Sequence, residues 1–101
     1  MNIDSRTIPR KEPRTEVRMQ VTVSGIDKDG HSFNGPAETL NGSIEGMGLL
    51  LEQELFPLTT LVISIPREKK VLQIQSEVRH ITPIGSNRNL VGVRFRKLAY
   101  V

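Results

Sequence analysis

The stretch Glu16-Val17-Arg18-Met19-Gln20-Val21-Thr22-Val23 alternates side chains with period two. Val17, Met19, Val21 and Val23 are apolar, while Arg18, Gln20 and Thr22 are polar. That pattern predicts a strand with one face in a core and one in water. Upstream, residues 1–15 show no periodicity and contain Pro9 and Pro13, so they read as a flexible arm. Downstream, Asp29-Gly30 predicts a hairpin turn, followed by a weaker strand from Ser32 to Leu40. Gly35-Pro36 interrupts that segment and suggests an edge or a bulge. Asn41-Gly42 reads as the next turn, and Met47 to Leu51 as a short buried strand.

Glu52 to Thr59 is expected to connect, with Leu55, Phe56 and Leu58 anchoring it to the core. Leu61, Ile63 and Ile65 alternate again and stop at Pro66. After a charged turn from Arg67 to Lys70, Leu72, Ile74 and Val78 form an inward series over Val71–Ile81, with an irregularity near Ser76. A loop from Pro83 to Asn89 precedes a last strand, Leu90 to Phe95. Short strands at such spacing, with no long helix, predict an all-β fold: a small six-stranded antiparallel barrel over residues 16–101 with little or no helix.

Composition limits the function. The chain has 101 residues, 37% hydrophobic and 25% charged, which suits one small soluble domain. It lacks cysteine, so disulfide scaffolds and thiolate metal sites are excluded. His31 and His80 are isolated and cannot build a metal centre without carboxylates; no metal site or cofactor is expected. No apolar run approaches the roughly 18 residues of a membrane span, and Met1–Arg10 has no apolar signal core. A cytoplasmic protein that does not insert into membranes is expected. Net charge is +3, distributed as +2 over residues 1–20, −5 over 21–60 and +6 over 61–101. Two basic ends could meet around one anionic partner.

Two segments carry chemistry. Arg10 and Arg14 lie four apart on an arm where Pro13 opposes a helix. A guanidinium can grip a phosphate bidentately, dock on the O6/N7 edge of guanine or stack on its ring. The second segment is Asn41-Gly42-Ser43-Ile44-Glu45-Gly46-Met47-Gly48. It reads either as a hairpin turn or as a polar reader of a purine edge, with Gly46 allowing close backbone approach.

Taken together, an R-x-x-x-R arm before the first strand and [D/N]-x-S-x-x-G between the second and third resemble the PilZ domain. The closing Val91-Gly92-Val93-Arg94-Phe95 also looks like that family's last strand. The resemblance implies a bacterial receptor of cyclic di-GMP that signals to a downstream protein in motility, adhesion or polysaccharide export. It implies that Arg10 and Arg14 hold phosphates and guanine edges, that Asn41 and Ser43 read a guanine, and that Gly46 keeps the wall low. Arg6, Lys11, Gly48, Arg79 and His80 are secondary candidates. Register decides whether Arg79 or His80 faces the ligand. Pro9 stands where a further arginine is frequent in the family, leaving one or two bound ligands open. Asn41 is the neutral form of a position where aspartate also occurs, and its amide has one acceptor oxygen.

Other functions fit less well. A degenerate member acting only as a protein–protein adaptor would be expected to have a broken motif. An RNA or single-stranded DNA binder needs stacking aromatics, and the chain has only Phe33, Phe56, Phe95 and Tyr100. Catalysis is not expected: no nucleophile–base spacing or glycine-rich phosphate loop is present, and Asp27 and Asp29 read as turn residues beside Gly30.

Overall fold

The structure, a computed structural model, describes the backbone of Thr15–Glu16 and residues 18–101. The candidates Arg6, Arg10, Lys11 and Arg14, and the inward reading of Val17, lie outside the described residues. Seven strands run in chain order: β1 (Thr15–Glu16), β2 (Gln20–Ile26), β3 (Ser32–Gly42), β4 (Gly46–Leu51), β5 (Thr60–Arg67), β6 (Lys70–Pro83) and β7 (Asn89–Tyr100). All pairings are antiparallel, in the order β1-β3-β2-β5-β6-β7-β4, and a β3–β4 pairing closes the six long strands into a barrel. β1 adds to β3 through Thr15↔Gly42 and Glu16↔Asn41. There is no helix among the described residues, and none long and apolar enough to cross a membrane.

Alternation puts one series from every long strand inside. Val21 and Val23, Ala37, Leu49 and Leu51, Leu61, Ile63 and Ile65, Leu72, Ile74 and Val78, and Val91 and Val93 form the buried core. Ser76 continues the β6 series fully buried, its hydroxyl donating to the Leu61 carbonyl at 2.9 Å. A hydroxyl is tolerated there because its donor is satisfied. The expected irregularity near Ser76 lies across the ladder, where the β6–β7 register shifts between Gln75 and Ser76.

Several expectations require correction. Gly35-Pro36 does not interrupt β3, which runs unbroken from Ser32 to Gly42, but among the described residues it does lie at an edge, one of the two expected readings, with Thr22↔Pro36 inside the β2 ladder. Proline is accommodated because the β3–β4 ladder begins only at Glu38↔Leu50, leaving Pro36 no bond to make on that side. The β3 register shift falls instead between Thr39 and Gly42. Asn41-Gly42 is not a turn but the end of β3. The turn is Ser43–Glu45, closed by Ser43 N–H donating to Gly46 C=O (2.9 Å) and Glu45 N–H to Ser43 Oγ (3.2 Å). In the β4–β5 connection only Leu55 is buried; Phe56 and Leu58 are 54% and 66% exposed. Leu58 has a left-handed φ of 73°, held by its N–H donating to the Val78 carbonyl at 2.7 Å. The last strand continues beyond Phe95 to Tyr100 because β6 is long enough to pair with all of it.

Candidate functional site

The β3–β4 turn and the outer faces of β4, β7 and β6 enclose an open hollow of about 480 Å³. Sites for small molecules span roughly 300–1,000 Å³. Its floor comes from strand register. Gly48 of β4 pairs with Gly92 of β7, and Gly92 in turn lies opposite His80 of β6. A Cβ added at Gly48 would come 3.3 Å from Asn41 Oδ1, and one at Gly92 would run into the imidazole of His80. The floor is therefore the backbone of Gly48, flanked by the Asn41 amide, and beside it the His80 ring lying over Gly92. Glycine at 48 leaves backbone that a flat ligand can approach closely, and glycine at 92 makes room for the imidazole to lie flat on the sheet.

Ser43 and Glu45 bring the turn to the rim, and Arg79 and Arg94 contribute cations at the β6–β7 side. Arg79 and His80 both line the hollow, although alternation alone would admit one of them. The β6–β7 ladder runs Val78↔Val93 and then His80↔Gly92, so Arg79 is an extra residue on β6. A bulge of this kind places two successive side chains on one side. Arg79 Nη1 lies 3.6 Å from Glu77 Oε1, which also receives Arg96 Nη1 at 3.3 Å.

Of the sequence candidates, Asn41, Ser43, Gly46, Gly48, Arg79 and His80 converge on this hollow. Gly46 has a physical role beyond a low wall. A Cβ there would collide with the Val93 carbonyl, so glycine lets β4 start hard against β7. β1 ends the approach of the N-terminal chain: Thr15, bonded to Arg14, pairs with Gly42 beside Asn41. Gly92 and Arg94, which also line the hollow, are not among the sequence candidates. The available signal was a lone glycine inside an apolar strand, Val91-Gly92-Val93, followed by a cation. Elsewhere, Asp27, Asp29 and His31 bring ligand atoms within 4.8 Å of one another, but Asp27 Oδ1 accepts the amides of Asp29 and His31, as a turn residue does.

The family model described as the PilZ domain matches residues 8–99. The chain belongs to the PilZ family. Among curated protein sequences none matches it. Two of the solved structures similar to this chain illustrate the fold. The Bacillus subtilis inhibitor of motility, MotI/DgrA, has a TM-score of 0.60 and 19% identity, covering 90% of this chain and 44% of that one. The chain thus spans less than half the length of MotI. The PilZ domain of YcgR from Escherichia coli, solved with c-di-GMP, has a TM-score of 0.60 and 18% identity, covering 86% of this chain and 77% of that one.

Proposed function

We propose that this protein is a receptor for cyclic di-GMP that reports ligand occupancy to a partner protein and catalyses no reaction of its own. One observation carries the reading. The Asn41–Gly48–Gly92–His80 floor lies between a hydroxyl at Ser43 and cations at Arg79 and Arg94, next to the strand that follows Arg14. The ligand has two phosphates and two flat guanines, which call for forked cations, a smooth stacking surface and edge-reading polar groups. On this reading Arg10 and Arg14 close over the ligand, Asn41 and Ser43 read a guanine edge, and Arg6 and Lys11 add positive charge. Arg10 lies four residues before Arg14, so an extended chain carries it at most about 14 Å away, enough to cross a compact dinucleotide. The PilZ domain of YcgR, with c-di-GMP in its structure, supports the ligand class. The protein then works in the bacterial cytoplasm and needs neither nucleic acid nor membrane insertion.

Calorimetry with the full chain tests this. Saturable binding of cyclic di-GMP is expected, with linear pGpG and GTP much weaker. Arg14→Ala should lose about 2 kcal/mol or more, the scale of a charged hydrogen bond. Amide exchange at residues 6–15 should slow at saturating ligand. Absence of binding, or equal affinity for GTP, would refute the ligand. Undiminished affinity in an Arg10→Ala, Arg14→Ala double variant would refute the arginine roles.

A further inference from the structure

Over its last residues β7 has a strand partner on one side only. Its ladder with β6 runs to Leu72↔Tyr100 and continues in two bonds between Val71 and Val101, 3.1 and 2.9 Å. Its ladder with β4 stops at Gly46↔Arg94, followed by Phe95 N–H donating to Glu45 C=O at 2.7 Å. From Arg96 to Tyr100 the second edge is open among the described residues. Val101 exchanges both bonds with Val71, so alternation turns the N–H and C=O of Leu98 and Tyr100 toward that open side. Their side chains sit opposite the buried Ile74 and Leu72, on the face that lines the barrel, yet they are 55% and 60% exposed. Two large apolar groups and a row of backbone donors and acceptors thus coincide.

Charge selects what can cover them. Arg96 and Lys97 lie on this edge and Arg94 just before it, while Glu77 divides its carboxylate between Arg96 and Arg79. Cations on an edge strand oppose pairing with a like edge, so a second copy is disfavoured. Residues 1–14 hold Arg6, Arg10, Lys11 and Arg14 against Asp4 and Glu12, and the same repulsion applies to them. An acidic segment is drawn to these groups.

We propose that Arg96–Tyr100 is a docking edge for an extended acidic segment of a partner protein, one alternating Asp or Glu with apolar residues. The segment adds as a strand. Backbone groups of Leu98 and Tyr100 continue the ladder, and apolar side chains cover Leu98 and Tyr100. Acidic side chains meet Lys97 and Arg96. This edge does not depend on what the hollow binds.

The test titrates the full chain with the peptide Glu-Val-Glu-Val-Glu-Val-Glu, using Lys-Val-Lys-Val-Lys-Val-Lys as control, and follows the amides by NMR. The acidic peptide alone should shift resonances along residues 95–101. It should also slow exchange of the Leu98 and Tyr100 amides by about tenfold or more, the mark of newly protected hydrogen bonds. An Arg96→Glu, Lys97→Glu double variant should reverse the preference. No response, equal response to both peptides, shifts confined to the hollow, or a double variant that still prefers the acidic peptide would each overturn the proposal. So would sedimentation showing the free chain already dimerised through Leu98 and Tyr100.

Discussion

A methyl group added at Gly46 and one added at Gly92 meet different obstacles. At Gly46 it strikes the Val93 carbonyl, backbone fixed in the β4–β7 ladder. At Gly92 it strikes the imidazole of His80, an exposed side chain that can rotate away. Gly46→Ala should therefore cost about 2 kcal/mol or more in urea unfolding, and Gly92→Ala less than about 1 kcal/mol. The order should invert for ligand affinity relative to stability. On the proposed function, Gly92→Ala displaces His80 from the floor and should weaken cyclic di-GMP binding by about tenfold, or 1.4 kcal/mol, in a protein that remains folded. Equal stability losses at the two sites would contradict the packing described for Gly46.

Among the elements, the β5–β6 hairpin is the shortest connection and holds a local conflict. Glu68, between the paired Arg67 and Lys70, has a φ of 53°, a left-handed conformation that an unbranched acidic side chain adopts at a cost. Asparagine tolerates that region better, so Glu68→Asn should stabilise the fold by about 0.5 kcal/mol, read as a melting temperature raised by about 2–4 °C. A fall in melting temperature would show that the Glu68 side chain matters more than its backbone. Strands were legible in the sequence wherever one face is buried, as in Val21 and Val23 or Leu61, Ile63 and Ile65. The end of β7 was not, because Arg96-Lys97 breaks the apolar run where the β6–β7 register shifts. Asn41-Gly42 has turn composition, yet Thr15 and Met47 both pair with Gly42 and keep it in the strand. The Asn41–Gly48 motif identified one side of the hollow, and the β6–β7 side was reached only through Arg79 and His80. That Arg79 and His80 share it depends on an extra residue in one ladder, which periodicity cannot reveal.

For the molecule as a whole, connectivity sets the folding rate. The barrel needs pairs far apart in sequence, such as Val23↔Ile63 and Leu49↔Val91, and it closes only when β4 has joined both β3 and β7. Loop-closure entropy must be met before such contacts form, so refolding after stopped-flow dilution should take milliseconds to seconds. Relaxation faster than about 1 ms would mean that a local hairpin, rather than barrel closure, limits the rate. One strand also joins two regions of the surface. Through Gly92 and Arg94, β7 borders the hollow, and from Arg96 onward the same strand leaves the wall with one side unpaired. A molecule settling over Gly92 and another gripping Leu98 would hold the same short ribbon at two points. On those two proposals, the sites would be separated by only a few peptide units of one strand.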